Sequence, residues 1–451
     1  MAVLKSERQI TPATGKKTKT RWLIVLMIFI VTVINYADRA TLSIAGPALS
    51  SDLGINSVMM GYLFSAFAWS YVLGQIPGGW LLDKFGSKRV YFWSIFLWSL
   101  FTLVQGLIGS FQSVTTVVII LFALRFFVGL AESPSFPANS RIVAAWFPSA
   151  ERGTAAAIFN SGQYFATVLF APIMGYITFT FGWEYVFFFM GAIGIIVAFV
   201  WLKTIYNPKD HPKINQAELD YIKEGGALVD MDTAANQVEK KQGPNWQYIK
   251  QLLSNKMLLG VYLGQYCITT LTYFFLTWFP VYLVDQRGMN ILEAGLVASL
   301  PAICGFIGGI LGGTFSDFLL KKGVSITAAR KIPIITGLLL SMSLVIANYV
   351  TTEWVVVFVM SLAFFGKGFG SLGWAVVADT SPKEMSGVSG GLFNTFGNVA
   401  GITTPIIIGY IVGTTGSFNM ALLFVGASAL VAILSYLFLV GEIKRVELKK
   451  V

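Results

Sequence analysis

The sequence predicts an all-α polytopic membrane protein with twelve transmembrane helices in two six-helix bundles, and three observations support this fold class. First, 55% of the 451 residues are hydrophobic and only 12% are charged, with a mean hydropathy of +0.70, whereas soluble domains are about 25% charged. Second, twelve apolar runs are long enough to cross a bilayer. Third, the basic residues are concentrated in alternate connections between these runs.

The twelve runs divide the chain into two halves around one long hydrophilic segment. We expect an N-terminal tail (1–21), a first bundle (22–203), a connecting loop (204–256), a second bundle (257–440) and a C-terminal tail (441–451). In the connecting loop, Asn215 and Glu218 predict a helix start, and Gly225 a stop. The runs lie at 22–44, 58–81, 89–109, 114–139, 154–178, 183–203, 257–283, 292–316, 331–350, 353–378, 387–412 and 417–440.

The distribution of positive charge predicts the orientation in the membrane. Of 32 Lys and Arg residues, three lie within apolar runs and Arg287 follows the seventh run; the other 28 lie in the tails and in the loops after even-numbered runs, or at their edges. The side rich in Lys and Arg is the cytoplasmic one, so both termini are expected on the cytoplasmic side of the membrane. The net charge of +10 is therefore a topology signal, and we expect no nucleic-acid partner.

Most catalytic and metal chemistry is disfavoured by the residue inventory. Cys267 and Cys304 lie in apolar segments, and the single histidine, His211, lies in a polar loop, so no disulfide framework or zinc spacing is present. A membrane enzyme would need a nucleophile and a base, which this arrangement does not supply. We therefore expect neither an enzyme nor a bound metal or cofactor.

The two halves of the chain are repeats of each other. Gly79 and Asp83 in "GGWLLDKFGSKR" match Gly313 and Asp317 in "GGTFSDFLLKKG", at an offset of 234 residues. The same offset relates Pro148 to Pro382, Phe159-Asn160 to Phe393-Asn394, and Gly175-Tyr176 to Gly409-Tyr410. Parallel repeats of this kind are typical of transporters that rock about a central site.

Five charged residues lie well inside the apolar runs, away from the first and last two residues of each run, where a charge costs about 2.5–3.5 kcal/mol at the bilayer centre. They are Asp38, Arg39, Arg125, Glu132 and Lys367. Such residues face the bundle interior or a cavity, although Arg125 and Glu132, seven residues apart, are also compatible with a purely structural ion pair.

Polar residues at helical spacing accompany these charges. Tyr36 shares the side of Arg39, and Lys367 aligns with Ser371 and Trp374. Uncharged polar stripes at Tyr71–Gln75, Asn160–Gln163–Thr167, Gln265–Thr269–Thr272 and Asn394–Asn398 offer hydroxyl and amide partners. A wall rich in hydrogen-bond donors suits an oxygen-rich anion.

"GGWLLDKFGSKR" resembles the signature loop of the major facilitator superfamily. "NYADRATLSIAG", "RFFVGLAESPSFPANSRIVAAWFP" and "LAFFGKGFGSLGWAV" resemble the anion:cation symporter branch, and within it the bacterial hexarate permeases, carriers of D-glucarate and D-galactarate. The resemblance covers essentially the whole chain. It implies conformational gating by the glycines and aspartates of the two repeated loops, Gly79, Asp83, Gly313 and Asp317.

The related galactonate carriers imply roles for individual positions. Matching positions line the central cavity, with Arg39 implicated in carboxylate binding and Asp38 and Glu132 in proton coupling; we add Arg125 to the coupling group. Lys367 stands where those carriers have asparagine, which favours a substrate with a second carboxylate. The expected substrate-binding set is Tyr36, Arg39, Tyr71, Gln163, Lys367, Ser371, Trp374 and Asn394.

These features together predict a secondary transporter that imports sugar diacids by proton symport through alternating access. The expected partners are the sugar-acid anion, protons and the lipid bilayer, with no cofactor beyond the proton gradient, and the family resemblance implies a monomer. Two alternatives remain within transport: a carrier of monoacids such as galactonate, and an organic-anion exchanger. A third is a transporter-like sensor that moves no solute.

Overall fold

The computed structural model describes residues 17–230, 246–382 and 386–448. The predicted tail and loop residues 1–16, 231–245 and 449–451 lie outside this part of the chain, as do residues 383–385. Twelve membrane-spanning helices are present, as predicted, and the described residues contain no strand. Spans 1–12 are Thr20–Leu53, Ser57–Phe85, Ser87–Ser110, Val114–Trp146, Arg152–Phe181, Glu184–Thr204, Lys256–Gln286, Ile291–Lys321, Ile326–Tyr349, Glu353–Thr380, Val388–Thr415 and Asn419–Leu439.

Local sequence signals set where several spans begin and end. The Asn56 side chain accepts a hydrogen bond from the Met59 amide at 2.9 Å and starts span 2. Asn290 and Glu293 form a reciprocal capping box at the start of span 8. These caps satisfy main-chain amides that have no partner within the helix.

Spans 4 and 10 are each interrupted near their middle. In span 4 one helix ends at Glu132 and a second, half-helix 4b, runs over Ser135–Trp146. In span 10 one helix ends at Phe369 and half-helix 10b runs over Gly373–Thr380. The two breaks lie at corresponding places in the two repeats, so each places a buried charged residue, Glu132 or Lys367, at or close to a helix end.

The helix predicted in the connecting loop is confirmed and docks on the first bundle. It spans Gln216–Glu224, is capped by Asn215 and ends at Gly225. Glu218 is fully buried, and its carboxylate accepts hydrogen bonds from the Thr20 amide at 2.9 Å and from Arg21 at 3.0 Å. The start of span 1 and this loop helix are therefore joined by one buried carboxylate.

A second carboxylate, Glu151, completes this cluster and gives it a pH dependence. Burial opposes ionisation, but hydrogen bonds from Arg21 at 2.9 Å and Tyr221 at 2.6 Å outweigh it and hold the pKa of Glu151 below its usual value of 4.5. A lowered carboxyl pKa contributes stability above its unfolded-state value, and this is lost as pH falls through the folded-state value.

Glu151→Gln is accordingly expected to lower the thermal unfolding midpoint in detergent by about 1–3 °C at pH 7. The difference from wild type should shrink as the pH is taken below 4.5. Glu224→Gln, an exposed position on the loop helix, is the matched control and should show no such difference. A Glu151→Gln effect that stays constant down to pH 3 would contradict the assignment.

Candidate functional site

A cavity of about 740 Å³ lies between the two bundles, within the range of small-molecule sites. Its wall combines aromatic rings with amide, hydroxyl and cationic groups from both halves of the chain. Spans 1, 2, 4 and 5 contribute Tyr36, Arg39, Tyr71, Phe136, Pro137, Ser140, Phe159, Asn160, Gln163 and Tyr164. Spans 7, 8, 10 and 11 contribute Gln265, Ile268, Thr269, Thr272, Gly309, Lys367, Ser371, Gly373, Trp374, Asn394, Gly397 and Asn398.

All eight residues that the sequence predicted for substrate binding line this one cavity. They divide evenly between the bundles, Tyr36, Arg39, Tyr71 and Gln163 in the first and Lys367, Ser371, Trp374 and Asn394 in the second. A molecule bound here would contact both halves at once.

Arg39 lines the cavity and also pairs with Glu132, a buried carboxylate that does not line it. Its Nε donates to Glu132 Oε2 at 2.9 Å, while Nη2 is buried without a hydrogen-bond partner. The guanidinium carbon lies 4.5–4.8 Å from the ring centroids of Tyr36, Phe67 and Tyr71. These rings hold the planar group in place by cation–π contacts and leave part of its hydrogen-bonding capacity unused.

The other three charges of the first bundle's membrane core, Asp38, Glu132 and Arg125, do not line the cavity. Asp38 and Glu132 are completely buried and Arg125 is 3% exposed. Arg125 donates to the main-chain carbonyls of Asp38 and Arg39 at 3.4 and 3.5 Å, so it braces the charged stretch of span 1 through the backbone. The ion pair that the sequence allowed between Arg125 and Glu132 is replaced by a pair between Glu132 and Arg39.

Lys367 is the cation of the second bundle. It is 7% exposed, and its ammonium nitrogen lies 5.1 Å from the Phe364 ring and 5.8 Å from the Tyr164 ring. Within the described residues no carboxylate lies within ion-pair distance of it. Arg39 is thus neutralised by a protein carboxylate, whereas Lys367 presents an uncompensated positive charge to the cavity.

Tyr164 is a lining residue that the sequence analysis missed. It comes from span 5 of the first bundle yet approaches the second-bundle cation Lys367. Its spacing of four residues from Asn160 puts it on the same polar face of span 5, so helical periodicity was the signal available. Both residues line the cavity, together with the predicted stripe residues Gln265, Thr269 and Thr272.

At the end of the molecule opposite the connecting loop, the bundles meet backbone to backbone through four glycines. A Cβ on Gly61 of span 2 would lie 2.7 Å from the Pro405 carbonyl oxygen of span 11, and a Cβ on Gly409 would lie 2.6 Å from the Ser57 carbonyl oxygen. Spans 5 and 8 repeat this contact through Gly175 and Gly295. The offset of 234 relates Gly61 to Gly295 and Gly175 to Gly409, so this glycine seal obeys the repeat symmetry and closes the cavity on that side.

Gly409→Ala is expected to hold spans 2 and 11 apart at this end, because overpacking a close helix contact costs about 1–3 kcal/mol. Pulsed electron paramagnetic resonance between spin labels on the loops at that end should show a larger population at long distances. Gly391→Ala on the same span is the matched control, since a Cβ there meets no atom within 4 Å. Identical distance distributions for the two variants would show that the seal does not depend on the glycines.

The predicted gating residues lie at the other ends of spans 2 and 8. In the structure they lie apart from the opposite bundle. A Cβ on Gly79 or Gly313 would meet no atom within 4 Å. Asp83 pairs with Arg141 of half-helix 4b, and Arg330 lies 3.8 Å from Asp317 and 2.9 Å from Asp379 of half-helix 10b. The gating role of Gly79, Asp83, Gly313 and Asp317 stays a prediction; in this conformation both aspartates bind within their own bundle.

The arrangement can bind an anion but offers little for bond-making chemistry. Two cations, several amides and an indole N–H surround the space, and the described residues contain no cluster of three or more metal-ligating side chains. Arginine presents a planar fork that matches a carboxylate, and lysine a compact ammonium. The cavity is therefore suited to holding an acid with several hydroxyl groups.

Comparison with known proteins places these observations in a family. The family model described as the Major Facilitator Superfamily matches residues 28–402. A probable galactarate/D-glucarate transporter of Bacillus subtilis (strain 168) is 68% identical over 441 residues, covering 98% of this chain and 96% of that protein. Its counterpart in Escherichia coli (strain K12) is 62% identical over 448 residues, covering 99% of each.

The similarity extends to a more distant relative and, at the level of the fold, to a solved structure. A D-galactonate transporter of Escherichia coli O6:H1 is 42% identical over 434 residues, covering 96% of this chain and 98% of that protein. Among solved structures, a D-xylose-proton symporter superposes with a TM-score of 0.70 at 17% identity, covering 94% of this chain and 98% of that one. At that identity the likeness concerns the fold alone.

Proposed function

The chain belongs to the Major Facilitator Superfamily, and on that premise we propose that it imports six-carbon sugar diacids, D-glucarate and D-galactarate, together with protons. The observation that carries the proposal is the pair of cations in one cavity, Arg39 from the first bundle and Lys367 from the second. A dicarboxylate has one negative group for each. Relatives named as galactarate/D-glucarate transporters at 57–68% identity support the same substrate class.

Charge balance in the membrane core favours an anionic substrate. Three cations, Arg39, Arg125 and Lys367, stand against two acids, Asp38 and Glu132, which leaves a net charge of +1. Moving a dianion into a negatively charged cell costs about 2.3 kcal/mol per charge for every 100 mV. Import therefore requires coupling, and two protons, one on each acid, make the transfer of a dianion electroneutral.

The Arg39–Glu132 pair suggests how a proton and a substrate are coupled. While Glu132 is ionised, it occupies the Nε donor of Arg39. Protonation of Glu132 weakens this charge-assisted bond and releases the guanidinium for a substrate carboxylate. Asp38 is the second proposed proton carrier, because its side chain is completely buried and a neutral carboxyl group is far less costly to bury than an ionised one.

The glycine seal and the repeat symmetry support alternating access. In the conformation described here the seal is closed, and we propose that the cavity faces the connecting-loop side. The charge distribution supports a cytoplasmic location for that side, and it places both termini on the cytoplasmic side of the plasma membrane in this proposal. Opening of the seal would expose the same residues to the exterior. We propose that a monomer is the working unit, because one chain supplies both halves of the cavity wall.

A carrier of monoacids is the second candidate, since the galactonate relative shares 42% of its residues with this chain. Lys367 argues against it, because once Glu132 is protonated a monocarboxylate leaves one of the two cavity cations without a counter-charge.

Uptake into proteoliposomes separates these possibilities. Under an inward proton gradient, galactarate and glucarate should accumulate, and gluconate and galactonate should do so far less. A carrier that prefers the monoacids would refute the diacid assignment. Counterflow without any response to the proton gradient would identify an exchanger, and the absence of both would indicate a sensor.

A further inference from the structure

The chain segment that follows the last span of each bundle folds back over the end of that bundle's interrupted helix. After span 6, the main chain of Gly225 and Leu228 bonds to Ser149 and Ala144, at 2.8 and 2.9 Å. After span 12, the Val446 amide donates to the Thr380 carbonyl at 2.9 Å. We call residues 225–229 the first strap and residues 441–446 the second strap.

In each bundle an arginine guanidinium caps carbonyls at the end of the half-helix that have no partner within the helix. Arg152 donates to the Phe147 and Ala144 carbonyls, both at 3.2 Å. Arg445 donates to the Ser381 and Ala378 carbonyls at 3.2 and 3.3 Å. The last carbonyls of a helix lack partners within it and carry partial negative charge, which a cation stabilises.

The capped carbonyls are repeat equivalents, but the arginines are not. Ala144 and Ala378 are 234 residues apart, as are Phe147 and Ser381, whereas the position equivalent to Arg152 is Ser386. The two halves thus reach the same contact from different places in the chain. A contact inherited through duplication would use equivalent donors, so the coincidence points to a requirement of the half-helix end itself.

The straps themselves are built alike. Each contains a glycine in the left-handed region, Gly226 with φ of 86° and Gly441 with φ of 58°, which turns the chain back toward its own bundle. In the first, Arg152 also donates to the Gly226 carbonyl at 2.7 Å. In the second, the Ile443 amide donates to the Thr327 hydroxyl at 2.9 Å and the Ile443 side chain is buried. Arg152 therefore joins half-helix 4b to the first strap, and Arg445, which belongs to the second strap, joins that strap to half-helix 10b.

Half-helices 4b and 10b connect the cavity to the charged loop end of the molecule. Half-helix 4b begins three residues after Glu132 and carries Arg141, the partner of Asp83. Half-helix 10b begins after Ser371 and carries Asp379, the partner of Arg330. Each follows a break in the α-helix of its span and is hydrogen-bonded to the strap at its far end.

We propose that Arg152 and Arg445 are positioning residues for transport, and that the two straps make half-helices 4b and 10b move with their bundles as single bodies. The C-terminal tail is on this view a working part of the carrier. The inference goes beyond the proposed substrate and rests only on movement between two conformations. Substrate contacts are not involved, so turnover should change while binding does not.

Hydrogen–deuterium exchange of the full-length protein in detergent, without substrate, tests the inference directly. In Arg445→Gln, amides of Gly373–Ser381 should exchange about tenfold faster than in wild type, with the rest of the second bundle unchanged. Lys444→Gln is the matched control: it removes the same charge one residue away, from a side chain that is 73% exposed and 3.5 Å from Glu442. Arg152→Gln should give the equivalent change in residues 135–147.

Proteoliposome uptake of galactarate supplies the second readout. Arg445→Gln should lower the maximal rate about three- to tenfold with KM unchanged. Arg445→Lys should recover part of this rate, since an ammonium keeps the charge but lacks the planar fork that reaches two carbonyls. Because exchange is measured without substrate, failure of the diacid assignment leaves that result intact.

Three results would overturn the proposal. One is an exchange pattern in Arg445→Gln equal to that of Lys444→Gln. Another is faster exchange spread evenly over the second bundle, which would make Arg445 a general stability residue. The third is a changed KM at an unchanged maximal rate, which would assign Arg445 to substrate binding.

Discussion

A Glu132→Gln carrier is expected to exchange galactarate across a membrane in both directions but to lose accumulation driven by a proton gradient entirely. Glutamine copies the shape of a protonated glutamate and cannot take up or release a proton. In wild type the Glu132 carboxylate holds Arg39 Nε at 2.9 Å, and an amide oxygen competes more weakly for a guanidinium than a carboxylate does. Arg39 therefore stays available to substrate in the variant, while the step that links it to the proton is absent.

The measurement compares two assays on the same proteoliposomes. Counterflow of labelled galactarate should be retained, and uptake under an inward pH gradient should not exceed equilibration. Glu353→Gln, which changes an exposed glutamate at the start of span 10, is the control and should leave both assays unchanged. Accumulation that survives in Glu132→Gln and also in Asp38→Asn would exclude both acids from the coupling path.

Lys367→Asn is expected to reverse the preference between diacids and monoacids. The ammonium has no carboxylate partner among the described residues and lines the cavity opposite Arg39, so it is the natural anchor for a second carboxylate. Loss of a charged hydrogen bond costs about 1.5–3 kcal/mol, which corresponds to about 10–100-fold in affinity for galactarate or glucarate. Galactonate, with one carboxylate, should lose much less.

The decisive quantity is the ratio of galactarate to galactonate uptake. This ratio should fall in Lys367→Asn and stay constant in Lys322→Asn, which removes an exposed lysine at the end of span 8. An unchanged ratio would assign Lys367 to packing against Phe364 and Tyr164. The diacid assignment would then depend on the relatives alone.

The fold and the cavity wall were predictable from the sequence because both follow from local rules. Spanning helices need a length of apolar chain, and a polar residue within such a helix must face an interior space. Those rules assign Arg39, Lys367 and Trp374 to the interior of the bundles, and the structure places all three on one cavity. The loop helix was predictable for a similar reason, since Asn215 and Gly225 are local start and stop signals.

Partnerships between distant residues were not predictable in this way. Arg39 and Glu132 are 93 residues apart, and the sequence pointed to Arg125, seven residues away, as a structural partner for the acid. The glycine seal was not predicted, for a different reason. Gly175 and Gly409 were recognised as repeat landmarks, but a glycine carries no signal that distinguishes a turn from a close contact with another helix. The contacts of Arg445 were not predictable either, because the positive-inside rule already explains a basic residue in a cytoplasmic tail.

The glycine seal has a consequence for how the carrier responds to its surroundings. Its contacts join main-chain atoms and carry no net charge, so dissolved salt has nothing to screen there. At the opposite end, partly exposed ion pairs join elements within each bundle, among them Asp83 with Arg141 and Asp317 with Arg330, and these pairs weaken as ionic strength rises. In the proposed orientation, the face turned to the medium closes by contacts that are indifferent to its salinity. The ion pairs named here lie on the face turned to the cytoplasm, where the cell regulates ion concentrations.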